Sequence, residues 1–227
     1  MESIENLLST FHELQLSNHG SNTQITSKEH EEKCSRILKE YFQADDLDKV
    51  NFRSLIKDNG YQVCNSSEDS LNRSCIPFIP ITNNSLNLVT NMNYIIDQPS
   101  GSQNYPDIMM ARLDEENNLH LAYIECKQEV PKFNNNPPKR NINCIYICGN
   151  KLYNGYLLTS QEWQDKKNEY VERYNSLVQE FTDENMIIIP YKVIEIPWIR
   201  GRGPHSFIEQ EEQNTPLITE CLSRFLN

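Results

Sequence analysis

The chain has 227 residues, 37% of them hydrophobic and 23% charged, with a formal net charge of -11. That length allows one domain with a sizeable core, so disorder is excluded as the default and residues 1–227 are expected to form a single domain. The acidic balance argues against general coating of nucleic acid, which requires Lys and Arg at the phosphates, and no run approaches the roughly 18–20 apolar residues of a membrane span.

The elements can be taken in chain order. Ile4, Leu7, Leu8, Phe11 and Leu14 recur at helical spacing, which predicts a short amphipathic helix over the first fifteen residues. Thr26 and Glu29 make a T-x-x-E capping box that opens a second helix to about Phe42, with Cys34, Ile37, Leu38 and Tyr41 on its buried stripe. A third helix is expected over Leu47 to Asn59, stopped by Gly60. From about residue 61 to 103 the pattern weakens under dense Asn and Ser and the prolines 77, 80 and 99, and this reads as an irregular insertion holding one or two strands.

Strands are expected at Pro106–Leu113, Leu119–Lys127, Ile142–Cys148 and Tyr156–Leu158, with the DEENN segment turning the first pair into a hairpin. Thr159 and Glu162 form another capping box, opening a long helix with Trp163, Tyr170, Val171, Tyr174, Leu177, Val178 and Phe181 on one face. Met186–Ile199 reads as a strand or pair of strands, broken at Pro190 and Pro197, and a short helix over Pro216–Phe225 closes the chain. The resulting fold class is α/β, a central mixed β-sheet flanked by helices.

The N-terminal MESIENLL lacks a basic stretch followed by an apolar one, so no secretory leader is expected. Seven scattered cysteines without a CxxC pair fit a reducing compartment, and the expected location is cytoplasmic. Cys144 and Cys148, about 13 Å apart along one face of a strand, read as buried thiols rather than a metal pair.

The chemistry concentrates on two strands. Asp107 stands at the start of one, and Glu125 and Lys127 lie two apart on the next, so that both point to one face about 7 Å from each other. Carboxylate oxygens suit Mg²⁺, a small hard cation that shares its remaining positions with water and substrate phosphate. A lysine beside such an ion can orient an attacking water. The reaction class suggested is hydrolysis of a phosphodiester by in-line attack.

NYPDIMMARL followed by LAYIECKQ resembles the PD-(D/E)xK nuclease superfamily, with Pro106-Asp107 and then Glu125-Cys126-Lys127 each on its strand. The segment after the lysine, FNNNPPKRNINCIYICGN, is similar to the stretch beyond the catalytic lysine in a number of type II restriction endonucleases. The resemblance covers about residues 104 to 150. It implies a restriction-endonuclease-like fold, Asp107, Glu125 and Lys127 as catalytic residues, Mg²⁺ as cofactor, and cleavage of double-stranded DNA to 5′-phosphate and 3′-hydroxyl ends. It also implies an acidic residue from a helix ahead of the first catalytic strand. Glu29, Glu32 and Glu40 fall on the outer face of the second helix, whereas Glu31 lies on the edge of its buried stripe and is the candidate third metal ligand.

Between Val130 and Gln161 the chain carries Lys132, Lys139, Arg140 and Lys151 and no acid, and Arg200, Arg202 and His205 form a second basic island. Lys132, Asn134, Lys139, Arg140 and Asn141, in a Pro- and Asn-rich loop, and Arg200 and Arg202 beside glycines, are the candidate DNA contacts. Asn134 and Asn141 serve equally as turn formers. His12, His19, His30 and His120 show no paired spacing and read as structural or surface residues. An enzyme cutting both strands of a palindrome is expected to be a homodimer, with the first helix as one possible interface. The alternatives are a repair or recombination nuclease of the same superfamily, and a DNA-binding or protein-interaction module that keeps the fold without cutting.

Overall fold

The computed structural model describes residues 3–13, 26–61, 76–101, 105–128, 143–155 and 211–226, together with Glu169, Glu172, Arg173, Asn175, Ser176, Gln179 and Glu180. Helix α1 (Ile4–His12) is capped by the Ser3 side chain, which accepts the Asn6 N–H, and it buries Ile4, Leu7 and Phe11. Helix α2 (Ser27–Tyr41) opens on the anticipated box: the Thr26 hydroxyl accepts the Glu29 N–H while the Glu29 carboxylate accepts the Thr26 N–H at 2.7 Å. Helix α3 (Lys49–Asp58) starts on the Asp48 carboxylate, and Gly60 comes after it at φ 82°, the left-handed turn that a glycine makes without strain.

Strands β1 (Asp45–Asp46), β2 (Phe78–Pro80), β3 (Asn93–Asp97), β4 (Ile108–Leu113), β5 (Asn118–Lys127), β6 (Cys144–Cys148) and β7 (Lys151–Asn154) form one mixed sheet. Its order is β1-β3-β4-β5-β6-β7, with β2 paired to the start of β5. The β1–β3 and β5–β6 pairs are parallel and the others antiparallel. Asp114 builds the β4–β5 turn, one carboxylate oxygen accepting the N–H groups of Glu116 and Asn118.

Strand alternation divides the sheet's side chains between two cores. Met109, Ala111, Leu121, Tyr123, Cys144 and Tyr146 pack with Phe52, Leu55 and Ile56 of α3 on one face. Ile108, Met110, Ala122, Ile124, Ile145 and Ile147 pack on the other with α1, α2 and a C-terminal helix, α4 (Glu211–Leu222). The molecule is therefore an α/β fold whose mixed seven-stranded sheet is flanked by helices on both faces, and nearly continuous apolar runs such as β6 are the signature of a strand covered on both sides. The five described cysteines are buried, as the strand position of Cys144 and Cys148 suggested.

Several expectations change. The stretch read as irregular holds two strands, β2 and β3, as many as were allowed for it, but β3 is an interior strand, hydrogen-bonded to β1 on one side and β4 on the other. Its short apolar run, set among Asn and ahead of Pro99, does not announce itself until β4 supplies the ladder. A strand at Lys151–Asn154 pairs with β6, whereas the expected strand at Tyr156–Leu158 lies outside the described residues, as does Met186–Ile199. Seven described positions of the expected long helix are helical and exposed, all off its apolar stripe. Helix α4 begins earlier than expected and passes through Pro216. Leu7 and Phe11 are fully buried within the chain, which removes the apolar face of α1 as a dimer surface; it rests instead on β7 and α4.

One buried side chain ties three of these elements together. Asn93, 2% exposed, donates through Nδ2 to the carbonyls of Phe42 at 2.8 Å and Phe225 at 2.7 Å, and accepts from Arg112. Asn93→Leu strands two buried carbonyls and is expected to cost roughly 2–6 kcal/mol, at about 1–3 kcal/mol per unsatisfied group. A fall in the urea midpoint with unchanged slope would register this loss, and an unchanged midpoint would contradict it.

Candidate active site

The β4–β5 hairpin determines where the candidate catalytic side chains meet. Its ladder runs from Leu113↔Leu119 at the turn to Ile108↔Ile124 at the open end, so position 107, one step beyond, falls opposite position 125. Glu125 and Lys127 are two apart on β5 and share a face, and Lys127 Nζ donates to Glu125 Oε1 at 2.5 Å. Asp107 sits just ahead of β4. Its Oδ2 accepts the Cys126 N–H at 2.7 Å, and its backbone carbonyl accepts the Gln98 N–H at 2.6 Å. Three residues that are far apart or merely alternate in sequence are thus gathered at one end of one hairpin.

Glu31 approaches from α2, which lies across β5. It is half-buried, whereas Glu29, Glu32 and Glu40 are exposed, which matches the edge position inferred from helical spacing. Its carboxylate engages the Gln98 side chain. A cavity of about 200 Å³ opens between α2 and the ends of β3 and β4, lined by Glu31, Glu32, Asp97, Gln98 and Asp107, with Lys28 at its edge.

Burial raises the proton affinity of all three carboxyl groups, and the Asp107 charge adds to it at Glu125 and Glu31. Glu125, 7% exposed, is pushed up to about 7, first by burial and then by the Asp107 charge, against the opposing pull of Lys127. Burial also raises Asp107, although the Cys126 amide and Lys127 oppose it. Glu31 rises through burial and then through Asp107, with Gln98 and Lys127 pulling the other way. Burial by itself would lower Lys127, but Glu125 and Asp107 hold its ammonium above the ordinary lysine range. The arrangement is one protected cation facing an excess of carboxylates in a poorly hydrated place, where further positive charge is favoured.

The donor chemistry fits a hard divalent ion. Glu125 Oε2 is the one described buried side-chain oxygen or nitrogen without a hydrogen-bond partner, and a carboxylate oxygen left in that condition costs free energy until something positive or protic meets it. Asp107 and Glu31 bring oxygens of the same kind. Among the described residues no group of three or more His, Cys, Asp and Glu side chains is already arranged to hold a metal ion. Lys127 occupies one oxygen of Glu125 instead.

Spacing in the sequence does not single out His30. It is buried on α2, its Nε2 is 2.7 Å from the Gly149 carbonyl, and it stands 3.6 Å from the Cys34 Sγ. Cys34 in turn meets Cys126, whose hydrogen bond, with the imidazole beside it, draws the Cys34 thiol down to about 6. Ser35 donates to Asp97 at 2.7 Å. His30 stands four residues before Cys34 and so continues the buried stripe of α2, a signal the sequence carries, whereas Ser35 lies off that stripe and its burial is visible only once the helix has a sheet to face. His120, held between Asp114 at 2.7 Å and Arg224 at 3.1 Å, is structural, as expected. The candidate DNA contacts Lys132, Asn134, Lys139, Arg140, Asn141, Arg200 and Arg202 all lie outside the described residues.

Comparison with known protein families, with curated proteins and with solved structures gave no match to this chain. Among the described residues no helix is long and apolar enough to cross a membrane.

The elevated Glu125 carboxyl has a consequence for stability. Between its ordinary value of 4.5 and about 7, the unfolded chain has released this proton while the folded chain retains it. Unfolding free energy therefore falls as pH rises through that window. Glu125→Gln removes the effect, so in EDTA its stability relative to the parent should grow from pH 4.5 to 7 and then level off, by an amount of order 1–3 kcal/mol. Urea denaturation at about pH 5 and about pH 8 measures the difference, and a pH-independent gap would contradict the role given to Glu125.

Proposed function

We propose that this chain is a divalent-metal-dependent endonuclease of double-stranded DNA, of the PD-(D/E)xK kind and, within it, a type II restriction enzyme acting as a homodimer. The observation that carries the reading is the meeting of Asp107, Glu125 and Lys127 at the open end of the β4–β5 hairpin, with one buried Glu125 oxygen unpaired. The order of elements supports a restriction-endonuclease-like fold: helix, then an antiparallel hairpin bearing the acidic residues, then a parallel β6 beside it.

Asp107, Glu125 and Glu31 would hold Mg²⁺. Such an ion, when bound, neutralises the carboxylates, lowers the pKa of water and offsets charge developing on a phosphoryl group. The chain's own groups have distinct tasks. The Cys126 N–H fixes the Asp107 carboxylate in one orientation. The Lys127 ammonium, kept charged by Glu125 and Asp107, orients a water for in-line attack and balances charge on the phosphate. The water oxygen gives up a proton to solvent and bonds to phosphorus as the bond to the 3′-oxygen breaks, and the 3′-oxygen takes a proton from solvent, leaving 5′-phosphate and 3′-hydroxyl ends. The basic residues 132, 139, 140, 200 and 202 would grip the duplex, offsetting the repulsion of a chain whose net charge is -11.

A second reading, a DNA- or protein-binding module that does not cut, draws on the direct Glu125–Lys127 ion pair, which already satisfies half of the glutamate. Digestion of a sequenced phage genome with end mapping separates the readings. Discrete fragments with Mg²⁺ and none with Ca²⁺ or EDTA support the restriction enzyme, a smear supports a repair or recombination nuclease, and intact DNA with every divalent cation supports the binding module.

Asp107→Ala, Glu125→Ala and Lys127→Ala should each lower the cleavage rate by about 10²–10⁴-fold. DNA binding should persist, and for the Glu125 variant it should tighten, because one negative charge is gone. Glu31→Gln should act more mildly, by about 10–100-fold, and chiefly by raising the Mg²⁺ requirement. Because protons compete for the Glu125 carboxylate, the Mg²⁺ concentration giving half-maximal cleavage should climb as pH falls below about 7. A flat dependence between about pH 6 and 8 would count against Glu125 as a ligand.

A further inference from the structure

We infer that His30 is a positioning residue for the Asp107–Glu125–Lys127 site, holding the helix that carries Glu31 to the strand end that carries Lys127; this rests on the nuclease reading. His30 is 1% exposed and lies in the first turn of α2, immediately before Glu31. Its Nε2 is 2.7 Å from the Gly149 carbonyl oxygen. A carbonyl oxygen only accepts, so Nε2 carries the proton and donates.

The contact continues beyond Gly149. That residue turns the chain between β6 and β7 at φ 65°, a conformation that leaves both of its backbone groups directed at neighbours. Its N–H donates to the Lys127 carbonyl at 2.7 Å. Two hydrogen bonds in series therefore connect the imidazole on α2 to the backbone of Lys127. One turn along the helix Cys34 packs against the same ring at 3.6 Å and meets Cys126, whose N–H holds Asp107. The imidazole thus has one mechanical line to Lys127 and another, through the thiols, to the residue between Glu125 and Lys127.

A buried histidine satisfied by one carbonyl is commonly a packing residue and nothing more. Here the line starts beside one candidate ligand and ends on the lysine, so a change at the ring reaches both. Without the donor, α2 is free to shift outward over the strand end, taking Glu31 with it, and displacements near about 1 Å are enough to impair such sites.

His30→Phe keeps a ring of similar breadth and removes the donor, whereas His30→Gln keeps an N–H that can reach the same carbonyl. Three readouts apply: amide hydrogen exchange at Gly149 without metal, the Ca²⁺ concentration giving half-maximal thermal stabilisation, and kcat and KM for DNA with Mg²⁺. The Phe variant is expected to fold, to exchange faster at Gly149, and to need about 10–100-fold more Ca²⁺. Its kcat should fall by a similar factor while KM for DNA stays put. His30→Gln should restore most of each quantity.

If the Phe variant does not fold, Gly149→Ala attacks the same line from its other end, since an alanine is strained at that positive φ, and it should show the same rise in Ca²⁺ requirement. A folded Phe or Gly149→Ala variant with wild-type Ca²⁺ dependence and wild-type kcat overturns the positioning role while leaving the nuclease reading intact. Wild-type protein that neither responds to Ca²⁺ nor cleaves DNA overturns both.

Discussion

The β4–β5 ladder governs the site because it fixes which side chains share the open end of the hairpin. Cross-strand neighbours lie on one face, and a slip of one residue would send every side chain of a strand to the opposite face. With Met109, Ala111 and Tyr123 in one core and Met110, Ala122 and Ile124 in the other, both faces are apolar, so the slip is opposed chiefly at the turn, where one Asp114 oxygen accepts the N–H groups of Glu116 and Asn118. The turn thereby sets the register, and the register sets Asp107 opposite Glu125.

Ionisable groups at that end are held in a state they would not choose in water. Burial raises the three carboxyl groups, while Lys127 is kept charged by the company it has. The Cys126 amide and the lysine relieve part of the strain, but one Glu125 oxygen is left without a partner. Large apolar cores on both sides supply the stability against which such a site is maintained, and a site of this kind binds cations more readily the less its own groups have satisfied one another.

Parts of this are legible without coordinates. The Thr26/Glu29 box and the Gly60 stop are local chemistry: a side chain three residues away, or a missing Cβ, decides them. The DEENN turn and the alternation of Glu125 with Lys127 are equally local. By contrast, β3 hides in an Asn-rich stretch, because so short a strand has little periodicity of its own and takes its conformation from the hydrogen bonds of β1 and β4. The apolar face of α1 looks available in the sequence for the same reason, since burial of Leu7 and Phe11 depends on β7 and α4 arriving from distant parts of the chain.

The sequence by itself determined the helix caps, the hairpin, the two-sided burial of β6 and the identity of the acidic and basic groups at the ends of β4 and β5, all of which depend on residues within a few positions of one another. Only the tertiary structure decided that Asp107 meets the Cys126 amide, that a Glu125 oxygen is sealed away unpaired, and that His30 reaches Lys127 through Gly149. Those contacts join segments separated by up to 119 positions, and distance along a chain carries no record of which groups the packing of two cores will press together.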